Sequence, residues 1–317
     1  NAWIANAPSA KAALFYMKPT ALAQYLLHDT SGQMLSGQAG QISSVARASD
    51  AANWTLATVK PSQYTLNLSS QGQFLAAAST GALSLASAPT IFNFVVASGC
   101  KPYPEISDDM IGEAHRGQGV DKPVIGFAEV HTHMAMGHEM SDGSSLVGPS
   151  AGGVMYGQMF HRFGVPHAMD NCEDWHGPNG IRDPEALVLD LKPLTTHETG
   201  GWPGFVSWPA YDSQLHQAMY YKWVERAWKA GMRIMVSEGT NIAALCEVGR
   251  LAVLRPDADC NDMSLGIKQV KYLFDLQNYV DAQEGGPGKG WFRIVTSPKM
   301  AREVINEGKL AVVAGLE

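Results

Sequence analysis

From residue 121 onward, strand-like and helix-like segments alternate, and this alternation restricts the possible folds more than any other feature of the chain. Short apolar runs predict strands, and longer segments with apolar residues at helical spacing predict helices. The predicted strands are 124–130, 233–237, 291–296 and 310–316, and the predicted helices are 215–229, 264–281 and 297–308. This order predicts an α/β fold, the first half of a (β/α)8 TIM-type barrel over residues 121–317.

A complete barrel needs about 250 residues and eight strands, whereas only about 200 residues remain from position 121 onward. A half barrel would expose two sheet edges and an open apolar interior to water, which is unfavourable. We therefore expect a second polypeptide, or a C-terminal half beyond Glu317, to complete the barrel.

Residues 135–212 form an insertion far longer than an ordinary connection between a strand and a helix. The insertion is rich in Gly, Pro and Trp, and its histidines are His138, His161, His167, His176 and His197. Either a lid over the active site uses these side chains, or they belong to a structured surface insertion, which the pattern favours. His176, in the loop 174–180, is a candidate substrate-binding residue.

The first domain is predicted over residues 1–98, and residues 11–98 have a different composition, rich in Ser, Ala, Gln and Gly. A weak repeat, with a spacing of about forty residues, relates the stretch that starts at Gln24 to the stretch that starts at Gln63. Alternating apolar residues broken by Ser and Gly turns predict a small antiparallel β domain, and its second repeat faintly resembles a β-trefoil lobe. Residues 99–120 are predicted to be a linker.

The composition also limits the partners of the chain. The formal net charge is −7 and the basic residues are scattered, so we expect no nucleic-acid partner. No apolar run approaches the roughly 18–20 residues that cross a bilayer, so we expect no transmembrane segment.

Cys246 and Cys260 are close enough in sequence for a loop disulfide, with four reduced thiols as an equal alternative. An even number of cysteines and a start at Asn1 suit a processed, secreted or periplasmic protein.

The strongest chemical signal is the sequence Glu129-Val-His131-Thr-His133 at the end of the first predicted strand. Alternation along a strand places His131 and His133 on the same face. At the carboxyl end of a barrel strand that face points toward the active site, where two imidazoles can bind a divalent metal that activates water. The alternative is a pair of solvent-facing histidines, since His-x-His also occurs by chance.

Two further strand ends carry carboxylates. Glu317 follows the last predicted strand, where a carboxylate can bridge two metals, and Gly315 allows close backbone approach beside it. Glu238 and Asn241 follow the second predicted strand and are candidate substrate-binding residues, with capping of the next helix as an equal alternative.

Together these segments resemble the membrane (renal) dipeptidase family within the metal-dependent amidohydrolase superfamily. The resemblance covers about a third of the chain and is best over residues 267–273 and 292–317. The shared order there is a helix, a strand ending in Thr-Ser, a helix ending in Glu-Gly-Lys and a strand closing on Gly-x-Glu. The resemblance implies that Glu317 bridges two zinc ions, with His131 and His133 as further ligands. The family has His-x-Asp at the first strand, where imidazole can replace the carboxylate, and it uses two later histidines from strands beyond the Gly-x-Glu.

The leading hypothesis is therefore a metal-dependent hydrolase in which two zinc ions activate a water to cleave an amide or peptide-type bond. Its substrate would be a small molecule or peptide-like. A second hypothesis is a phosphoesterase of the polymerase-and-histidinol-phosphatase type, which also combines a His-x-His strand with a Gly-x-Glu strand. A third is a non-catalytic protein whose β domain binds carbohydrate or a surface and whose metal-binding half has degenerated.

Overall fold

The computed structural model describes residues 12–137, 156–182, 196–204, 216–244, 246–247 and 259–317. The chain divides into two compact units. The first comprises Asn1–Pro104 and Asp281–Lys289, and the second comprises Glu105–Val280 and Gly290–Glu317.

The first unit contains a nine-stranded sheet in which neighbouring strands are antiparallel. Its strands are β1 (Phe15–Ala21), β2 (Gln24–Asp29), β3 (Met34–Gln38), β4 (Gln41–Val45), β5 (Trp54–Lys60), β6 (Gln63–Leu68), β7 (Gln73–Ala77), β8 (Leu83–Ala86) and β9 (Phe92–Asn93). Across the sheet the order is β4-β3-β2-β5-β6-β7-β8, with β1 paired to β2 and β9 paired to β6.

The core of this first unit is rich in leucine and is centred on Trp54. Leu66 and Leu68 alternate along β6, so both lie on one face of the sheet, and both are fully buried. Trp54 is also fully buried, and its indole Nε1 donates a hydrogen bond of 2.8 Å to the carbonyl oxygen of Leu35. Because the one polar atom of the ring has a partner, the indole is buried without the cost of an unpaired donor.

The second unit contains a four-stranded sheet in which every pairing is parallel. Its strands are β10 (Phe127–Thr132), β11 (Met232–Gly239), β12 (Phe292–Ile294) and β13 (Leu310–Leu316), in the order β10-β11-β13-β12. Helices with bounds inside the described residues are α1 (Val165–Ala168), α2 (Glu173–His176), α3 (Tyr221–Lys229), α4 (Asp262–Gln283) and α5 (Pro298–Asn306). Short 3-10 turns occur at Asp50–Ala52 and Pro178–Gly180.

The predicted half barrel is wrong. In a barrel each strand lies beside the strands that precede and follow it in sequence, whereas here β13 lies between β11 and β12. The larger sheet is moreover the antiparallel one of the first unit. The error arises because a sequence pattern predicts that a segment is a strand without predicting which strand it pairs with. The expectation that a second polypeptide or a C-terminal half completes the barrel loses its basis with this correction.

The strand β10 also differs from the prediction. A nearly continuous apolar run predicts a strand covered on both faces, but β10 lies at the edge of the described sheet. Phe127 is 51% exposed and Val130 is 66% exposed. The strand ends at Thr132, between the two histidines of the His-x-His sequence.

The core of the second unit packs the parallel strands against α3 and α4. Leu273 and Leu276 of α4 are buried in one cluster with Phe292, Leu310 and Val312 of the sheet. Ser297 caps α5 by accepting a hydrogen bond of 3.2 Å from the backbone nitrogen of Met300.

In the described part of the chain, no helix combines the length and apolar character needed to cross a membrane.

The structure decides the cysteine question that the sequence leaves open. Cys246 and Cys260 form a disulfide bond, with a sequence separation of 14 residues. Cys100 and Cys172 are free thiols, of which Cys172 is buried.

Two buried tyrosines at the start of α3 share one carboxylate. Tyr220 donates to Oε1 of Glu105 at 2.8 Å, and Tyr221 donates to Oε2 at 3.1 Å. Burial, together with the negative charge of Glu105, raises the pKa of both tyrosines well above the usual value. Both hydroxyls therefore remain protonated donors, and Glu105 holds the beginning of this unit against α3.

We expect Glu105→Ala to lower the free energy of unfolding by about 1–3 kcal/mol, because it leaves two buried hydroxyls without their acceptor. Chemical denaturation monitored by circular dichroism measures the change. Glu113→Ala is the matched control, since Glu113 is exposed and its removal should change stability by less than about 0.5 kcal/mol. Equal effects of the two substitutions would contradict the role given to Glu105.

Candidate metal centres

Potential metal ligands lie at the carboxyl ends of three neighbouring strands, β10, β11 and β13. Thr132 pairs in register with Ser237, and Glu238 pairs in register with Gly315, so the three strands end at one level. In open parallel sheets, ligands bind just outside this edge. The side chains brought to the edge are His131, His133, Glu238 and Glu317.

Three of these side chains direct their ligand atoms toward a common point. The Nε2 atoms of His131 and His133 are 3.1 Å apart. Oε2 of Glu317 lies 3.1 Å from Nε2 of His133 and 3.5 Å from Nε2 of His131. In a tetrahedral zinc site with bonds of about 2.0–2.1 Å, neighbouring ligand atoms are about 3.4 Å apart, so these spacings suit a bound ion. We call His131, His133 and Glu317 the edge cluster.

Backbone contacts orient the members of the edge cluster. Nδ1 of His133 lies 3.1 Å from the carbonyl oxygen of Glu238, and because that oxygen can only accept, Nδ1 carries the proton. The Nε2 lone pair of His133 is therefore directed toward the cluster. Backbone carbonyls that accept from the other ring nitrogen orient metal-binding histidines in this way. The backbone nitrogen of Glu317 donates to the carbonyl oxygen of Gly239 at 3.0 Å, which fixes the end of β13 beside β11.

Glu238 lies beside the edge cluster rather than within it. Its Oε2 is 3.5 Å from Nε2 of His131, yet it is not among the atoms that lie within 4.8 Å of one another in the cluster. A Cβ atom at Gly315 would lie 3.1 Å from Cγ of Glu238, so the glycine leaves room for this side chain. The side chain of Glu238 is 26% exposed, between the sheet edge and solvent.

The structure does not bring the other predicted substrate-binding residues to this edge cluster. The amide of Asn241 donates to Oδ1 of Asp262 at 2.7 Å and to the carbonyl oxygen of Cys260 at 3.3 Å, so it organises the start of α4. His176 belongs to a different cluster, described below. His138 lies outside the described residues.

A second group of potential ligands lies within the predicted insertion and the segment that follows it. Its members are Cys172, His176, His197 and His216, which we call the buried cluster. Sγ of Cys172 is 3.4 Å from Nε2 of His197 and 3.3 Å from Nε2 of His216. Nδ1 of His176 is 3.3 Å from Nε2 of His197. All four ligand atoms lie within 4.8 Å of one another.

The buried cluster is largely shielded from water. Cys172, His176 and His216 are buried, and His197 is half-buried. Burial lowers the pKa of His216 to about 2, and the nearby rings of His176 and His197 add to the effect. Burial raises the pKa of the Cys172 thiol to about 12. The thiol and the ring of His216 are therefore uncharged near neutral pH.

Sequence reasoning missed the buried cluster because its members come from separate segments. Cys172 and His176 are four residues apart on one helical turn, and this spacing was the one local signal. His216 fell within a predicted helix over 215–229, whereas α3 begins only at Tyr221 and His216 forms an isolated bridge with Tyr156.

Comparison with known proteins identifies no family for the chain. No protein-family model matches it, and no curated protein matches it. Among solved structures, a designed 3-fold symmetric protein, ThreeFoil, aligns over 24% of this chain with 16% sequence identity and a TM-score of 0.17. The aligned part spans 59% of the ThreeFoil chain. A likeness this weak carries no argument about fold or function.

Proposed function

We propose that the chain is a metal-dependent hydrolase whose reaction centre is the edge cluster. The observation that carries the proposal is the convergence of two imidazole nitrogens and one carboxylate oxygen, 3.1–3.5 Å apart, at the carboxyl ends of adjacent parallel strands. Catalytic zinc sites typically have three protein ligands from His, Asp or Glu and leave the fourth position open. His131 and Glu317 are each more than half exposed, which leaves room for substrate.

The residues of the edge cluster suit zinc in their chemistry. Zinc accepts imidazole nitrogen and carboxylate oxygen at similar bond lengths. When bound, such an ion would lower the pKa of a coordinated water to near 7 and polarise the bond to be cleaved. His131, His133 and Glu317 would hold the ion, and the carbonyl of Glu238 would keep His133 in the tautomer that can bind it.

Within this proposal, the side chain of Glu238 accepts the proton of the attacking water. Its Oε2 lies 3.5 Å from Nε2 of His131. It is not one of the three ligand atoms that all lie within 4.8 Å of one another. Proton transfer to a positioned carboxylate of this kind contributes about 10²–10⁴-fold to a hydrolysis rate.

The proposed substrate class is an amide or peptide-type bond. It is supported by the resemblance of residues 267–273 and 292–317 to the membrane dipeptidases, and it does not depend on a barrel, because function resides in the site rather than in the fold. The edge cluster supplies ligands for one ion, and the second zinc implied by the family resemblance stays a prediction.

Zinc loading and a substrate panel test the proposal. The purified chain, stripped with a chelator and dialysed against zinc, should hydrolyse dipeptides, and the activity should disappear on renewed chelation. The same preparation is assayed on phosphomonoesters. Cleavage of phosphomonoesters alone would show a phosphoesterase instead, and no hydrolysis of either class after zinc loading would contradict the proposal.

We expect Glu238→Gln to lower kcat by about 10²–10⁴-fold while the zinc content stays unchanged, because the amide cannot take up the proton. Parallel measurement of kcat and of bound zinc checks this result. Glu113→Gln, at an exposed carboxylate elsewhere in the unit, should leave both quantities unchanged. If Glu238→Gln removed the zinc together with the activity, Glu238 would be a ligand and not the proton acceptor.

A further inference from the structure

We propose that the buried cluster binds a second metal ion, a zinc held by Cys172, His176, His197 and His216, that stabilises the fold and takes no part in hydrolysis. This inference goes beyond the proposed function, because none of its four ligands belongs to the edge cluster. It also gives a role to His176 and His197, which the sequence pattern alone places in a surface insertion.

The spacing of the ligand atoms matches a tetrahedral site. With bonds of about 2.0–2.1 Å to nitrogen and 2.3 Å to sulfur, neighbouring ligand atoms around zinc lie about 3.4–3.6 Å apart. The observed separations are 3.3 Å and 3.4 Å from Sγ of Cys172 to two imidazoles, and 3.3 Å between the nitrogens of His176 and His197. Four protein ligands leave no position for a substrate, which is the arrangement of structural zinc sites.

The kind of ligand selects the metal. A thiolate with three imidazoles suits zinc, whereas calcium and magnesium require oxygen ligands, and the cluster contains no carboxylate. Binding would displace the proton of the Cys172 thiol to solvent. A catalytic Cys–His pair is the competing interpretation, but reactive cysteines are partly exposed, and Cys172 is only 1% exposed.

Backbone hydrogen bonds and a glycine position the short segments that carry these ligands. The helix α2, which carries His176, has only four residues, too few to be stable without tertiary contacts. Cys172 donates its backbone N–H to the carbonyl of Thr199, and His197 donates its own to the carbonyl of Asn179. A Cβ atom at Gly180 would lie 2.2 Å from Nδ1 of His197, so only glycine leaves room for this ring. A bound ion would hold the short segments that carry the four ligands together.

A hydrogen bond connects the segment of one buried ligand to the segment that directly follows His133. Gln217, directly after His216, donates its side-chain amide to the backbone carbonyl of Met134. Met134 directly follows His133, so the segment that supplies one buried ligand also holds the chain next to an edge ligand. The buried zinc would therefore help to hold the segment that directly follows β10.

Cobalt substitution tests this proposal in a protein without the edge cluster. Chelator-treated His131→Ala/His133→Ala protein is titrated with Co²⁺ and followed by absorption spectroscopy. We expect a thiolate-to-cobalt charge-transfer band and the visible bands of tetrahedral cobalt, saturating at about one ion per chain. Adding Cys172→Ser should abolish the charge-transfer band. Adding Cys100→Ser, which removes the other free thiol, should leave it unchanged.

The outcomes separate this inference from the proposed function. Absence of the charge-transfer band from folded protein that retains Cys172, in both the double variant and the unsubstituted chain, would overturn the buried zinc site. Persistence of the band in a folded Cys172→Ser protein, checked by circular dichroism, would overturn it as well. Neither result depends on hydrolysis. If the unsubstituted, zinc-loaded chain hydrolysed neither substrate class while the double variant showed the band, the proposed function alone would be refuted.

Discussion

Replacing His131 and His133 together with alanine is expected to lower kcat/KM for the substrate by at least about 10³-fold, which corresponds to about 4 kcal/mol of lost transition-state stabilisation. The two Nε2 atoms, 3.1 Å apart, are two of the three ligand atoms of the edge cluster. Glu317 alone cannot hold an ion tightly, so the activated water would be lost with the metal. Metal analysis and hydrolysis assays on zinc-loaded protein measure both losses.

The control for this double substitution is His115→Ala, which removes an exposed histidine of the same unit and should change neither zinc content nor hydrolysis. The double variant should unfold at nearly the wild-type temperature, since His131 is 57% exposed and contributes little to the core. Full activity in the double variant would contradict the assignment of the edge cluster as the reaction centre.

The second large effect concerns the first unit. We expect Trp54→Ala to lower its free energy of unfolding by about 3–5 kcal/mol, because the substitution leaves a large cavity at the centre of the sheet. It also removes the indole donor from the carbonyl of Leu35, which adds the cost of a buried acceptor without a partner. Chemical denaturation followed by far-ultraviolet circular dichroism reports the unfolding of the sheet.

Val59→Ala is the matched control for Trp54→Ala, because both residues belong to β5 and Val59 is 46% exposed. Its effect should stay below about 1 kcal/mol, as expected for a largely exposed side chain. A change of less than about 1 kcal/mol for Trp54→Ala would show that the described core does not stabilise this unit.

Local elements of the second unit could be predicted well from the sequence, because their signals lie within a few residues. The Ser297-Pro298 start of α5 and the apolar run of β13 both appear at the predicted positions. The order of the strands could not be predicted in the same way. It depends on which side of β13 the three-residue strand β12 occupies, and no local pattern records that choice.

The same distinction applies to the two clusters. Alternation along the first predicted strand places His131 and His133 close together, and the parallel arrangement of the predicted strands places Glu317 at the same end. Cys172, His197 and His216 approach one another only through the folding of the predicted insertion and the segment that follows it, which lack regular periodicity. Their meeting depends on turns and close backbone contacts, such as the one between Gly180 and His197.

The Cys246–Cys260 disulfide has a consequence for the unfolded chain. It closes a covalent ring between β11, which carries Glu238, and the start of α4. In the chain-entropy description, closing a loop of about 15 residues lowers the conformational entropy of the unfolded state. This contributes roughly 3 kcal/mol to the free energy of unfolding. Reduction of these two sulfurs would return that freedom to the unfolded chain and so lower the free energy of unfolding by a similar amount.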